Sequence, residues 1–312
     1  MAKTRVFIDG HAGTTGLRIR ERLSARDDLE LVVLDEALRK DPGARHEALV
    51  SADVAFLCLP DDAAREAAEA AGDADTIIID TSTAHRTSEG WAYGFPELVG
   101  YDAIRASARI ANPGCHASGF VALVAPLVRA GIIGADARLS CFSLTGYSGG
   151  GKQMIAQYEA DGRDGLLDAP RMYGLAQSHK HLPEMRAMCG LEAAPAFCPV
   201  VGDFYAGMEV VVPLFAGDVD ASAQEIRSAY ASHYATGLVH LVDDADEGGF
   251  LSAAAYAGRD DMEVSVHGND ERILLVARFD NLGKGASGAA IQNMNIALGL
   301  DEGLGLDLGS SR

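Results

Sequence analysis

Short apolar runs alternate with amphipathic segments through the first third of the chain. The runs cover residues 5–9, 29–34, 53–59 and 76–80. Residues 61–71, between two of them, show the Ala- and Glu-rich pattern of a helix with an Asp cap. Strands that alternate with helices predict a parallel sheet with right-handed crossovers. The pattern therefore predicts an α/β, doubly wound layout like that of dinucleotide-binding domains.

The pattern changes after a strand-like run at 108–111. A tight turn and a long apolar helix at 116–130 follow it, and a further helix is predicted at 286–298. Longer alternating runs predict strands at 138–145, 196–201, 208–214 and 272–279. The segments between these strands look too irregular for crossover helices, so antiparallel pairing is expected there.

Length and charge restrict the class of protein. A chain of 312 residues, 48% hydrophobic, can bury a full core and suits two domains, or one domain that carries a large insertion. A net charge of −19 makes nucleic acid and anionic membranes poor partners. The chain enters a strand at once without a signal segment, and five cysteines form no Cys-x-x-Cys pair. We therefore expect a cytoplasmic protein with reduced thiols.

A glycine turn follows the first strand with the spacing Gly10, Gly13 and Gly16. Glycines at a strand-to-helix turn let backbone N–H groups approach a pyrophosphate, and Thr14 and Thr15 add hydroxyl donors. A tight turn without a ligand is the alternative. The alternating strands around the turn favour nucleotide binding.

Cys115 follows Asn-Pro-Gly and opens the predicted helix at 116–130. The helix dipole and nearby N–H groups favour a thiolate there and can stabilise an oxyanion. The alternative is a buried structural cysteine, the interpretation preferred for Cys58, Cys141 and Cys198 because each lies in or beside an apolar strand. The turn before Cys115 favours a nucleophile instead.

Two histidines, His179 and His181, precede Pro183, which suits the first position of a short helix. Imidazole titrates near neutral pH, so either ring can exchange protons with a reaction intermediate. A metal site is an alternative, but no third His or Cys stands nearby at ligand spacing, and no metal is predicted. A surface pair without a role is the other alternative.

Two further loops have suitable donors. Residues 145–152 form a glycine-rich cradle with the Ser148 hydroxyl, but Gln153 after Lys152 excludes a Walker loop. Arg86 follows the fourth strand, where loops line the ligand crevice of a parallel sheet. We expect Arg86 to bind a phosphate, with a solvated surface arginine as the alternative.

Taken together, these segments resemble N-acetyl-gamma-glutamyl-phosphate reductase, in the shorter of its two sequence types. The resemblance rests on the motifs at 9–16, 80–86, 112–116, 146–152, 179–184 and 280–288, and so covers nearly the whole chain. The Cys turn is shared with aspartate-semialdehyde dehydrogenase. The His-x-His-x-Pro-Glu and Asn-Leu-x-Lys-Gly segments are more specific.

The resemblance implies an oxidoreductase of arginine biosynthesis. Such an enzyme uses NADPH to reduce N-acetyl-glutamyl 5-phosphate to the semialdehyde, with release of phosphate, through a Cys thioester. Cys115 would be the nucleophile and His181 the acid/base. The implied substrate-binding residues are Arg86, Asn112, Ser148, Gly149, Tyr173 and His179. The implied cofactor-binding residues are Gly10, Gly13, Thr14, Thr15, Gly16, Arg39, Lys40, Leu59, Pro60, Ser82, Asn281 and Gly285.

The resemblance also implies the domain organisation. A discontinuous Rossmann-type domain would comprise residues 1–114 and 285–312. An α+β catalytic, substrate and oligomerisation domain, residues 115–284, would hold a mixed, largely antiparallel sheet. A homodimer or homotetramer is expected. Asp35 at the end of the second strand suits NAD, whereas Arg39 and Lys40 suit the 2′-phosphate of NADP, which the resemblance favours.

Two alternatives differ in function. One is reduction of a related acyl phosphate, the aminoadipyl or the aspartyl compound. The other is a nucleotide-binding regulator that has kept the fold without catalysis. The presence of both Cys115 and His181 argues against the regulator.

Overall fold

Two units, each with its own sheet, make up the chain in a computed structural model that describes residues 2–10, 13–219, 221–269 and 271–309. The first unit comprises the described residues up to 113 together with 286–306. The second comprises residues 114–285 and the end of the described chain, 307–309. No helix of the described residues is long and apolar enough to cross a membrane.

The sheet of the first unit is parallel throughout. Its strands are β1 (Thr4–Asp9), β2 (Leu29–Val32), β3 (Val54–Leu57), β4 (Ile77–Asp80), β5 (Ala92–Tyr93) and β6 (Arg109–Ala111). Their order across the sheet is β2-β1-β3-β4-β6-β5. The chain reverses its direction of winding between β1 and β3, the place where α/β sheets bind ligands.

Helices cover both faces of this sheet. They are α1 (Thr14–Leu23), α2 (Pro42–Val50), α3 (Asp61–Ala71), α4 (Pro96–Val99), α5 (Tyr101–Arg105) and, from the C-terminal segment, α10 (Gly288–Ala297). Alternate residues of β1 point to opposite faces, as the period of a strand requires. Val6 and Ile8 pack with Ile291 of α10, whereas Phe7 packs with Leu49 of α2.

The second unit contains a mixed sheet. Its strands are β7 (Ser140–Gly146), β8 (Arg171–Met172), β9 (Ala196–Gly202), β10 (Met208–Phe215), β11 (Val239–Leu241), β12 (Met262–Gly268) and β13 (Arg272–Phe279), in the order β11-β12-β13-β10-β7-β9-β8. β10 pairs antiparallel with both β7 and β13, and β13 pairs antiparallel with β12. The largely antiparallel sheet expected from the sequence is therefore confirmed.

One pairing expectation is wrong. β7 and β9 are parallel neighbours, with Ser140 opposite Ala196 and Gly146 opposite Gly202. The segment between them contains two helices, α7 (Gly151–Tyr158) and α8 (Leu182–Cys189), which return the chain to the starting edge of the sheet. The irregular pattern concealed α7, whereas α8 is the short helix that Pro183 indicated.

One face of the mixed sheet is covered by α6 (Cys115–Arg129), which packs on β10 and β13, and by α9 (Ala223–His233), which packs on β12. Gly119 permits a close approach, because a Cβ there would lie 2.5 Å from Cγ2 of Val210. On strands of the same sheet, the exposed apolar side chains Phe142, Phe215 and Leu274 alternate with buried positions. Apolar side chains therefore lie on the exposed face of the sheet as well as on the face that packs in the core.

Candidate active site

Cys115 is the first residue of α6, one residue earlier than the predicted helix start. Gly114 is the N-cap with extended backbone angles, φ −81° and ψ 143°. Its carbonyl accepts from the backbone N–H of Ser118 at 2.8 Å and from the Ser118 hydroxyl at 3.1 Å. The half-buried thiol therefore lies at the positive end of a helix of four turns.

Gly285 lies against this cysteine. A Cβ on Gly285 would stand 3.0 Å from the Cβ of Cys115 and 3.1 Å from the Asp280 carbonyl, so a larger residue would displace the thiol. Gly285 belongs to a π-helical turn, Gly283–Ser287, which delays the start of α10 to Gly288 rather than the predicted 286. The second unit thus places this sequence-predicted cofactor residue beside Cys115.

His181 is the N-cap residue of α8, and Pro183 occupies the second helical position, one residue later than the first position predicted from the sequence. The ring of His179 accepts a hydrogen bond through Nδ1 from the His181 backbone N–H, at 3.2 Å. The two ring centroids are 4.7 Å apart. The geometry therefore brings both predicted histidines together, with His181 buried and His179 half-buried.

His116 was not identified from the sequence, although it directly follows Cys115. Its Nδ1 is 2.7 Å from the Ser143 hydroxyl and its Nε2 is 2.6 Å from the Tyr173 hydroxyl. Burial, with a smaller contribution from the neighbouring His179, lowers the pKa of His116 to about 3. Burial, followed by the neighbouring Cys115, raises the pKa of Tyr173. Both groups are therefore neutral near pH 7, and the His116 ring fixes the Tyr173 hydroxyl.

The glycine cradle is held by Asn281. The Ser148 hydroxyl, which is buried, accepts from Nδ2 of Asn281 at 3.0 Å, and the Ser148 backbone N–H donates to the Tyr205 carbonyl at 3.0 Å. Oδ1 of Asn281 accepts from the Gly207 N–H at 2.9 Å. Asn281, a predicted cofactor contact, therefore orients Ser148 within the second unit, and Gly149 is exposed beside it.

Arg86 and Asn112 lie together in the first unit, and both are buried. The guanidinium of Arg86 donates through Nε to the Asn112 carbonyl at 2.9 Å and through Nη2 to the Thr81 carbonyl at 3.1 Å. Nδ2 of Asn112 donates to the Ala286 carbonyl at 3.0 Å. These bonds fix the backbone at the end of β6, so Arg86 is not the solvated arginine of the alternative interpretation.

The loop after β4 is organised by Asp80. This fully buried carboxylate accepts from the backbone N–H of Ser82 at 2.9 Å and from its hydroxyl at 2.8 Å. Nδ1 of His85 is 2.6 Å from the same carboxylate. The His85 ring stacks on Trp91, with centroids 3.9 Å apart and planes at 8°. The resemblance implied Ser82 as a cofactor residue but did not identify Asp80, the acid that holds it.

The glycine turn has the close approach expected of a phosphate cradle. Gly10 has a φ of +85°, and a Cβ there would lie 2.2 Å from the Cys58 carbonyl oxygen. The Gly13 N–H donates to the Gly10 carbonyl at 2.9 Å, and α1 begins at Thr14 with Gly13 as its N-cap. Thr15 and Gly16 continue its first turn. Residues 11 and 12 of this motif lie outside the described residues.

A cavity of about 470 Å³ adjoins this turn. Its described lining comprises Phe7, Ile8, Asp9, Gly10, Leu34, Arg39, Lys40, Arg45 and Leu59, and does not include Asp35. Asp9 and Arg45 form a two-pronged ion pair, in which Nε and Nη2 lie 3.0 Å and 2.8 Å from Oδ2. Pro60, the N-cap of α3, follows Leu59. The cavity is therefore cationic despite the acidic composition, because Arg45 neutralises Asp9, the one carboxylate among the described lining residues.

Three other cysteines, Cys58, Cys141 and Cys189, are less reactive than an exposed thiol because burial disfavours the thiolate. Burial raises the pKa of Cys58 to about 12 and raises the pKa values of Cys141 and Cys189 as well. These thiols remain protonated near neutral pH. Among the residues that the structure describes, no group of three His, Cys, Asp or Glu side chains is arranged to hold a metal ion.

Two family models match segments of the chain. Residues 115–281 match the family "Semialdehyde dehydrogenase, dimerisation domain", and residues 35–106 match "Semialdehyde dehydrogenase, NAD binding domain". The chain is similar in fold to aspartate semialdehyde dehydrogenase II from Vibrio cholerae, with a TM-score of 0.72 and 18% identity over 95% of this chain and 98% of that one.

Curated relatives are much closer in sequence. The chain is 46% identical to N-acetyl-gamma-glutamyl-phosphate reductase 2 of Nostoc sp., covering 98% of this chain and 100% of the relative. It is 48% identical to N-acetyl-gamma-glutamyl-phosphate reductase of Rhizobium meliloti, over 95% of this chain and 99% of the relative. The chain therefore belongs to the N-acetyl-gamma-glutamyl-phosphate reductase family.

Proposed function

We propose that this chain reduces N-acetyl-glutamyl 5-phosphate to N-acetyl-glutamate 5-semialdehyde with NADPH, releasing phosphate, as a step of arginine biosynthesis in the cytoplasm. The observation that carries the proposal is the arrangement of the second unit, with Cys115 at a helix start and His179, His181 and Tyr173 in one aromatic cluster. Family membership supplies the substrate class.

Cys115 is the proposed nucleophile. Its thiolate attacks the acyl carbon, a C–S bond forms, and the bond from that carbon to the bridging phosphate oxygen breaks. Phosphate leaves with the electron pair, and a thioester remains on Cys115. A thioester accepts hydride far more readily than a carboxylate, so covalent catalysis divides one difficult reduction into two easier steps. N–H groups at the start of α6 are the proposed donors to the oxyanion.

His181 is the proposed proton-transfer group. It donates a proton to the substrate oxygen during reduction and removes that proton when the aldehyde forms and the Cys115 thiolate departs. His179 and Tyr173 are proposed substrate contacts, together with Arg86, Asn112, Ser148 and Gly149. The neutral phenol of Tyr173, held by His116, serves as a hydrogen-bond donor or acceptor rather than a charge.

The first unit fits a dinucleotide. Gly10 is the residue that the close backbone approach requires, and the cationic cavity beside it suits the adenosine 2′-phosphate of NADP. Bound NADPH supplies the hydride. We propose that Arg39 and Lys40 hold the 2′-phosphate and that Gly13, Thr14, Thr15, Gly16, Leu59, Pro60 and Ser82 hold the rest of the cofactor. Asn281 and Gly285 are proposed to act from the second unit.

The division of labour between domains and the assembly are also proposals. We propose a nucleotide-binding domain of residues 1–114 and 285–312 and a catalytic domain of residues 115–284. The match to a dimerisation domain supports a homodimer. The exposed Phe142, Phe215 and Leu274 supply an apolar surface for it. A homotetramer would be a pair of such dimers.

The reverse reaction tests the proposed function. Purified protein, NADP and inorganic phosphate are mixed with N-acetyl-glutamate semialdehyde, the N-acetylated aminoadipate semialdehyde or aspartate semialdehyde, and NADPH absorbance is followed. We expect phosphate-dependent NADPH formation with the first compound at a kcat/KM at least tenfold above the others. A preference for either other aldehyde would contradict the proposed substrate.

A further inference from the structure

Glu184 joins the helix that carries His181 to the turn that carries Cys115. Its Oε1 accepts a hydrogen bond of 2.9 Å from the backbone N–H of Gly114, the residue before the cysteine. The Glu184 side chain is 2% exposed. It stands three residues after His181 in α8, and therefore on the same side of that helix. α8 packs directly on α6.

This bond replaces an interaction that α6 cannot make for itself. In a capping box, a Glu at the third helical position accepts from the N-cap N–H. The third position of α6 is Ala117, which has no acceptor. α9 in the same unit shows the usual arrangement, because Glu225 accepts from the Ser222 N–H at 2.8 Å. The N-cap N–H of α6 is instead satisfied by a carboxylate from another helix.

We propose that Glu184 is a positioning residue that fixes Cys115 relative to His181 by capping the nucleophile's helix from the acid/base helix. A bond within α6 would stabilise that helix alone. A bond from α8 also sets the register of the two helices, and a displacement of about 1 Å at a reacting group can cost on the order of a hundredfold in rate. The proposal rests on the proposed roles of Cys115 and His181.

Three substitutions test the role of the acceptor. Glu184→Gln keeps an oxygen acceptor and removes the charge, whereas Glu184→Ala removes the acceptor. Glu225→Ala is the matched control, because it removes the same type of bond from a helix in the same unit. The measurements are the phosphate burst in the first turnover without NADPH, the steady-state kcat, the Kd for NADPH and the thermal unfolding temperature.

We expect Glu184→Ala to slow both the burst and kcat at least tenfold, with the Kd for NADPH changed less than twofold. Glu184→Gln should stay within threefold of the wild type. Glu225→Ala should unfold at a lower temperature with kcat unchanged. If Glu184→Ala does not fold, Glu184→Leu fills the same space without an acceptor and is expected to show the same loss.

A normal burst in the folded Ala or Leu variant would overturn the proposal, as would a Gln variant as slow as the Ala variant. The variant Cys115→Ser distinguishes a failure of the positioning role of Glu184 from a failure of the proposed function. If that variant still gives the burst, Cys115 is not the nucleophile. If it gives none and Glu184→Ala is normal, only the positioning role of Glu184 is wrong.

Discussion

At the scale of single residues, surroundings rather than chemical type separate a reactive side chain from an inert one. Desolvation raises the pKa values of the Cys58, Cys141 and Cys189 thiols, although Cys58, unlike the other two, is only half-buried. Cys115 is half-buried at the first position of a helix, where backbone N–H groups favour negative charge. His116, next to Cys115, is engaged through both ring nitrogens, which lie within hydrogen-bond distance of the Ser143 and Tyr173 hydroxyls.

The pKa of His116 predicts a pH dependence of stability. Its value of about 3 in the folded protein, against 6.5 for an ordinary histidine, means that only the unfolded chain binds the proton between these values. The neutral His116 ring therefore makes its full contribution to the free energy of unfolding above pH 6.5, and this contribution is lost as the pH falls toward 3. Urea unfolding at pH 7.5 and pH 5 measures this loss. We expect the free energy of unfolding to fall between these pH values by roughly 2 kcal/mol less in His116→Gln than in the wild type.

His46→Gln is the control for that measurement, since His46 is an exposed histidine of the first unit and should not alter the slope. An equal pH dependence in the wild type and the His116 variant would show that His116 is not held neutral by burial.

Cofactor choice is also a matter of individual side chains. Arg39 and Lys40 line the cationic cavity, and bonds from charged groups to phosphate are each worth about 1.5–3 kcal/mol. We expect Arg39→Ala with Lys40→Ala to weaken NADPH binding at least thirtyfold by calorimetric titration and NADH binding less than threefold. Arg65→Ala, an exposed arginine on α3, is the matched control. Equal losses for both cofactors would remove these residues from the 2′-phosphate site.

At the scale of elements, the loop after β4 combines a buried acid with a spectroscopic reporter. Asp80 holds Ser82 and His85, and His85 stacks on Trp91, the single tryptophan of the chain. We expect His85→Ala to shift Trp91 emission to longer wavelength, because the indole gains contact with water. The same variant should unfold at a lower temperature and bind NADPH several-fold more weakly.

The exposed His46→Ala serves as control and should leave the emission spectrum unchanged. An unchanged spectrum in His85→Ala would show that the stack does not exist in solution, and normal NADPH binding would show that the loop does not depend on it.

The strands of the first sheet were predictable because their apolar runs are short and continuous, as buried parallel strands are. The predicted runs at 5–9 and 76–80 correspond to Thr4–Asp9 and Ile77–Asp80. The bounds of the helix Asp61–Ala71 were predicted to the residue, but the predicted Asp cap was wrong, because Pro60 is the N-cap and no side chain among the described residues caps the helix. Elements whose signal is weaker in the sequence were not identified: the helices Pro42–Val50 and Ala223–His233 and the strand Met262–Gly268.

The predictable part of the site is what lies in local motifs. Cys115 after Asn-Pro-Gly and His181 before Leu-Pro-Glu can be identified from spacing alone. The partners that orient them cannot, because Ser143 bonds His116 across 27 positions and Glu184 bonds Gly114 across 70. Such contacts exist only after the chain has folded, and nothing in the local pattern around Glu184 indicates which N–H group it satisfies.

At the scale of the whole molecule, the net charge of the chain is −19, so binding of an anion relies on a few local cationic side chains. The proposed dimer uses the apolar positions of the mixed sheet, where Leu274 of β13 is 41% exposed. We expect light scattering to show a dimer for the wild type and a monomer for Leu274→Asp, because a buried charge without a partner is costly.

Leu300→Asp is the matched control, since Leu300 is 38% exposed but belongs to the first unit, and it should remain a dimer. A Leu274→Asp variant that stays dimeric would place the interface elsewhere.

The central claim is that catalysis passes through an acyl group on Cys115. The direct measurement is intact-protein and peptide mass spectrometry after mixing the enzyme with N-acetyl-glutamyl 5-phosphate in the absence of NADPH. The account predicts the mass of one N-acetylglutamyl group per chain, located on the peptide that contains Cys115, released by hydroxylamine and absent in Cys115→Ser. An enzyme that turns over but gives no adduct, or gives it on another residue, would contradict the account.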